Sequence, residues 1–287
     1  MTQHEILNIL SEHRLHESTL DFLELIKFQK YHTENLDRFK VISYVNNNPT
    51  ILKKIYENYY EIGFCNVFDL HTSENKSDRS MTLEQINKKR KSTRSFSNEP
   101  LTFEEISDFF KLFYSITGKE TINYNGTKLT RDIRNIASGG ALYPTEIYIF
   151  NHKISKIPLG VYRYNVLNFQ LELIKELKNK GDFKDFYEII MKSENNPSVL
   201  DFENASAFIV FTSVLNKHSF KYQDFGVLLS FIEIGEFIHA AYLAVASLDL
   251  ACCVFGGFFN NKMNEYLELK NTLHQPILCM AIGNNKT

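Results

Sequence analysis

The stretch VLLSFIEIGEFIHAAYLAVASLDL, residues 227 to 250, constrains this chain more than any other part of it. It is long enough to cross a bilayer, yet Glu233, Glu236 and His239 stand in its middle, where hydrocarbon penalises charge heavily. The expectation is a buried helix of a soluble, cytoplasmic fold without membrane contact. A buried carboxylate needs a cation or several donors, so Glu233 implies either a structural partner or a cofactor group opposite it. At 287 residues the chain suits one large domain, or one domain with an appendage. A net charge of −2 calls for neither nucleic acid nor an anionic surface. The four cysteines, Cys65, Cys252, Cys253 and Cys279, form no CxxC and no zinc spacing, so no metal site is expected.

Residues 1 to about 80 read as a helical accessory region. ILNILSEH, TLDFLELIKF and TILKKIYENYYEIGF repeat apolar residues at three- and four-residue spacing, and the polar run HTSENKSDRS follows as a linker. A second domain is expected over 81–287. It opens with the helix MTLEQINKKRK. LTFEEISDFFKLFYSITG is expected to be a helix with a Thr102–Glu105 capping box and Gly118 as its stop. EIYIFNH and SAFIVFTSVL read as strands, and GVYRYNVLNFQLELI as a hairpin turning at Asn165–Asn168. A long helix is expected from about Tyr222 to Leu248. ACCVFGG and QPILCMAIG follow as strands around the helix NKMNEYLEL. Helices and strands mix without a βαβ rhythm, which makes the fold class α+β.

Four stretches could carry chemistry. KKRKSTRSF (88–96) crowds cations around Ser92 and Thr93; by itself it suits a solvated basic helix end first, and also offers the charge and directed donors that a phosphate needs. In ASGGALYPTEIYIF (137–150), Gly139 and Gly140 allow a tight turn or a close backbone approach, with Lys128, Arg131 and Arg134 a short way upstream. Lys221 and Tyr222 stand where a strand gives way to the long helix, a usual place for site residues. Gly256 and Gly257 form a second glycine pair after a short strand.

In this order the pieces resemble a known family. RKSTRSF is similar to the Arg-x-Ser-x-Arg/Lys phosphate clasp of nitroreductase-like flavoproteins. SGGALYPTE resembles the Ser-Gly-Gly-Ala-Leu-Tyr-Pro-x-Glu stretch of one branch, the SagB-type azoline dehydrogenases of thiazole- and oxazole-modified peptide biosynthesis, such as that of microcins. FKY and the EIG that follows look like that branch's Lys-Tyr pair and Glu-x-Gly. The resemblance covers about residues 81 to 283. It implies a homodimer with FMN at the subunit interface. Arg90, Ser92 and Arg94 would hold the phosphate; Ser138, Gly139, Gly140, Ala141 and Leu142 would line the ring; Glu233, Gly256 and Gly257 would complete the cofactor site.

The implied reaction is two-electron oxidation of a thiazoline or oxazoline in a ribosomal precursor peptide, beside an ATP-dependent YcaO-type cyclodehydratase. Lys221 would be the base and Tyr222 its orienting partner. A lysine titrates ordinarily near 10.4, so burial would have to lower it for work near neutrality. Two departures accompany the match. Ala137 stands where the family has Pro, and QDFGVLL stands where the family carries arginines flanking the glycine. The alternatives are a reductase of the same fold taking electrons from NAD(P)H, and a flavin-binding scaffold subunit.

Overall fold

The computed structural model describes residues 15–27, 33–56, 66–72, 81–124, 126–178, 183–190, 200–269 and 273–286. The first expected helix, ILNILSEH, lies outside the described residues, as do Cys65 and residues 73–80 of the polar run. The N-terminal region forms α1 (Glu17–Leu25), α2 (Thr33–Asn46) and α3 (Pro49–Tyr56), followed by a short strand β1 (Val67–Asp69). Then come α4 (Leu83–Lys89), α5 (Phe103–Phe113), β2 (Ile116–Tyr124) and β3 (Thr127–Arg134). A single 3₁₀ turn at Gly139–Ala141 leads into β4 (Thr145–Asn151), β5 (Gly160–Asn165), β6 (Gln170–Glu176) and α6 (Lys184–Ile189). The chain continues as β7 (Ala207–Val214), α7 (Leu215–Tyr222), α8 (Asp224–Ser247), β8 (Leu250–Phe255), α9 (Asn260–Tyr266) and β9 (His274–Asn284).

Seven strands form one antiparallel sheet in the order β1-β6-β5-β4-β7-β9-β8, and β2 with β3 forms a separate hairpin. Alternation along β4 and β7 divides the core in two. Ile147, Ile149, Ile209 and Phe211 face Phe109, Phe113 and Phe237 of α5 and α8. Phe150, Phe208 and Val210 point the other way, onto Phe186 of α6 and Tyr266 of α9. The side-chain period of two therefore puts helices on both faces of the sheet.

Three local expectations change. The capping box at Thr102 forms as expected, with Thr102 Oγ1 accepting from the Glu105 amide at 3.1 Å and Glu105 Oε2 from the Thr102 amide at 2.8 Å. The helix, however, ends at Phe113, and Gly118 lies inside β2 instead of stopping it. The overlooked signal was Asn-Gly at 125–126, the strongest short hairpin signature, with Gly126 at φ +84°. The long helix expected from about Tyr222 forms as α8, but a break at Gln223, whose φ is +53°, separates it from a further helix, α7, not expected from the sequence. The break lets α7 fold back against the first turn of α8 at Gly226, where an added Cβ would sit 2.5 Å from the His218 carbonyl carbon.

The third change concerns α8 itself. It is long and apolar enough to cross a membrane by length and composition, yet it packs on α4, α5 and the sheet. Burial is one-sided. Gly226, Ser230, Glu233, Ile234, Phe237 and Ala241 face inward, while Phe231 and Ile232 remain 42% and 50% exposed.

Candidate active site

The antiparallel pairing of β4 with β7 builds the site. Thr145, the first residue of β4, pairs with Ser213, next to the last of β7, and His274 of β9 pairs with Val214. The Ser138–Tyr143 turn that enters β4 and the helix α7 that leaves β7 therefore emerge at the same end of the sheet. There they touch. A Cβ on Gly140 (φ +67°) would sit 2.7 Å from Tyr222 Oη and 3.0 Å from Lys221 Nζ, and one on Gly139 3.3 Å from His218 Nε2. The double glycine is needed for contact with the Lys-Tyr helix about eighty residues downstream, in addition to the positive φ that favours glycine at residue 140.

Lys221 is 5% exposed, and burial pushes its pKa down from the ordinary lysine value. Its Nζ lies 5.2 Å from the centroid of the Tyr222 ring. Burial pushes the Tyr222 phenol up, so it stays protonated and able to donate. The helix thus presents one depressed amine and one neutral phenol to the turn.

Behind the turn lies a polar nest that the sequence did not reveal. His218 is fully buried; its Nδ1 is 3.0 Å from Ser230 Oγ, and its Nε2 is 3.5 Å from Ser138 Oγ and 3.7 Å from Glu233 Oε2. Glu233 Oε1 accepts from Thr145 Oγ1 at 2.8 Å, whereas Oε2 is buried without a hydrogen-bond partner. Burial raises the Glu233 carboxyl to about 7, with the Ser138 and Thr145 hydroxyls pulling the other way and Glu236 adding to the rise. Burial also pushes His218 down to about 4, so the imidazole is neutral near pH 7. Ser138 Oγ accepts the Tyr143 amide at 2.8 Å, which ties the turn together. Ala141 and Tyr143 sit at φ +57° and +44°, sparsely populated for such residues, and the Arg134 guanidinium lies 3.8 Å above the Tyr143 ring. The signals for this nest are spacings of three: His218 to Lys221, and Ser230 to Glu233, each one helical turn apart.

The basic clasp lies elsewhere. Arg90 caps α4 and stacks over the Tyr242 ring at 5.5 Å, and Ser92 Oγ is 3.0 Å from Tyr242 Oη. The Thr93 amide donates to the Cys252 carbonyl at 2.8 Å, fastening the segment along β8. Arg90 and Arg94 are exposed, and among the described residues neither is salt-bridged. Beside them a cleft of about 420 Å³ carries Lys88, Lys89, Lys91 and Lys286. Gly256 and Gly257 are exposed at the far end of β8, three residues past Cys253, or roughly 10 Å along a strand. Free guanidiniums, a hydroxyl and a bare glycine edge at that spacing suit a phosphate joined by a short chain to a flat ring; this donor set fits FMN.

Tyr242 and Leu229, which abut the clasp and the Gly139 turn, are both on α8. At 1.5 Å per residue they are roughly 20 Å apart. Within one chain the clasp and the Lys221 cluster therefore lie at opposite ends of the sheet. Glu233 belongs with the second, beneath the glycine turn.

The nitroreductase family model matches residues 88–284, and the chain belongs to the nitroreductase family. Members of that family are flavin-dependent oxidoreductases and generally bind FMN. The chain is 25% identical over 201 residues to "Putative nitroreductase MJ1384" of Methanocaldococcus jannaschii, covering 70% of this chain and 90% of that protein. Its fold resembles a solved chain of the same general description from Anabaena variabilis (TM-score 0.57, 20% identity), aligning over 77% of this chain but spanning only 42% of that one. It also resembles a chain of the Escherichia coli microcin synthetase McbBCD complex with truncated pro-MccB17 bound (TM-score 0.54, 16% identity), over 90% of this chain and 100% of that one. These likenesses concern the fold.

Proposed function

We propose that this chain is an FMN-dependent azoline dehydrogenase that oxidises thiazoline or oxazoline rings in a ribosomally made peptide. The observation that carries this reading is the Gly140 turn pressed against a buried Lys221–Tyr222 pair. Reduction of a nitro group or quinone needs no strong carbon base, whereas aromatising an azoline must remove a proton from carbon. Lys221 Nζ takes the α-carbon proton, and burial lowers its pKa toward the range where the free amine is available. Tyr222 Oη, held neutral, donates to and orients the reacting groups. Bound FMN supplies the two-electron acceptor for the hydride that leaves the β-carbon. Arg90, Ser92 and Arg94 hold the phosphate, with Gly256 and Gly257 along the cofactor.

The separation of the two clusters supports a homodimer. The Ser138–Leu142 turn, Lys221 and Tyr222 of one copy would meet the clasp of the other, and the exposed Phe231 and Ile232 of α8 offer the apolar surface for it. The fold likeness to a microcin synthetase chain supports work beside a cyclodehydratase on a precursor peptide. The test is a cyclised precursor mixed with purified, FMN-loaded protein. Loss of two hydrogens per ring without added nicotinamide is the expected result. Unchanged rings together with rapid anaerobic bleaching by NADPH would replace this reading with that of a reductase, and a colourless protein that cannot be reconstituted with FMN would leave only a scaffold role.

A further inference from the structure

We propose that Glu233, acting through Ser138 and His218, is the positioning group that fixes the glycine turn against Lys221 and so sets that amine's readiness as a base. The proposal rests on the reading of Lys221 as the base and adds the device that holds it. A carboxylate 3% exposed, on the inward face of a largely apolar helix and with one oxygen lacking a hydrogen-bond partner, costs stability that a purely structural residue would avoid. The free oxygen faces His218 Nε2 and the neighbourhood of the Ser138 hydroxyl.

Ser138 is the link. Its oxygen already accepts the Tyr143 amide, so its own proton is available to His218 or Glu233, and the turn cannot move without breaking one of these bonds. His218 completes the frame from the other side. It sits on the same helix as Lys221, one turn earlier, and its ring lies against Gly139. The groups facing Glu233 are Thr145 from β4, Ser138 from the turn, His218 from α7 and Glu236 from α8. Lys217 and Lys221 act on His218, and Tyr143 feels Glu233. Every element that packs on Glu233 also borders the turn or carries the base.

The readout is the pH profile of Lys221 acylation by acetic anhydride, followed by peptide mass spectrometry, together with hydrogen exchange at the Tyr143 amide. Neither measurement depends on FMN turnover. In the wild type Lys221 is expected to titrate below ordinary lysine, with the Tyr143 amide protected. In Glu233→Gln and in Ser138→Ala the lysine profile moves back toward the ordinary value, and the amide exchanges about tenfold faster. A core variant remote from the turn, Ile149→Val, keeps the wild-type profile while lowering stability. Wild-type profiles in both site variants would overturn the proposal. Should Glu233→Gln fail to fold, Ser138→Ala leaves the carboxyl in place and decides alone. An ordinary lysine profile in the wild type would instead remove Lys221 as the base, and this proposal with it.

Discussion

The two ends of α8 solve opposite problems. At the Tyr242 end, Arg90 and Arg94 are exposed and carry no salt bridge among the described residues, while Lys88 and Lys89 of the adjoining cleft are held only in solvent-exposed pairs with Glu84 and Asp249. At the Gly226 end, Lys221, His218 and Glu233 are already dry and interlocked, and their pKa values are displaced before any ligand binds. Binding a phosphate tolerates solvent, because long-range attraction and flexible donors suffice. Moving a proton does not, because the amine must be stripped of water to become a base near neutrality. On the proposed reading, the difference teaches that burial, more than residue type, separates the cations assigned to binding from the one assigned to chemistry.

The comparison breaks most sharply at Lys221. Lys221→Ala is expected to cost about 10²–10⁴-fold in azoline oxidation while FMN stays bound, as measured by mass loss per ring and by released flavin; a fully active variant would show that the base lies elsewhere. Next in size is Glu233→Gln. The Glu233 folded pKa of about 7 lies above the ordinary value of 4.5, so the native state holds the extra proton between them, and stability is lost as pH rises through that window. The buried His218, lowered to about 4 from 6.5, works oppositely and costs stability as pH falls through its own window. Glu233→Gln should therefore gain on the wild type by on the order of 3 kcal/mol between pH 5 and pH 8, read by urea unfolding across that range. A constant difference would mean that Glu233 does not titrate there.

Gly140→Ala adds a Cβ where φ is +67° and Tyr222 Oη is 2.7 Å away, so a loss of about 1–3 kcal/mol is expected in thermal unfolding, together with altered Lys221 reactivity. Arg94→Gln, at the exposed end, should weaken FMN binding by only about tenfold, and the deficit should shrink at high salt in a titration. Smallest of all, Lys88→Ala breaks an exposed pair with Glu84 at 2.6 Å and should stay within about 0.5 kcal/mol in chemical denaturation.

Much of the frame was legible because it is local. The Thr102 capping box, the alternation of β4 and β7 and the hairpin at Asn165–Asn168 follow from neighbours in sequence. The hairpin of β2 and β3 is masked by the aromatic, helix-like run that precedes Gly118, and its one local signature is the Asn-Gly at 125–126. The helix before Gln223 was hidden because LNKHSFKY carries no clear apolar period; Gly226, whose close approach to His218 lets the chain fold back, gives no sign of its neighbour. Glu233 was legible as anomalous, but its partners were not, since Ser138 and Thr145 are about ninety residues away.

The sequence by itself determined that a cation-rich Arg-Ser-Arg stretch, a glycine turn and a Lys-Tyr pair occur in that order on an α+β frame, because each is written in contiguous residues. Only the tertiary structure decided which of them meet. Antiparallel pairing of β4 with β7 brings Gly140 to Lys221, and the length of α8 keeps both far from Arg90. Side-chain chemistry is local to the chain, whereas contact depends on which strand ends share an edge of the sheet.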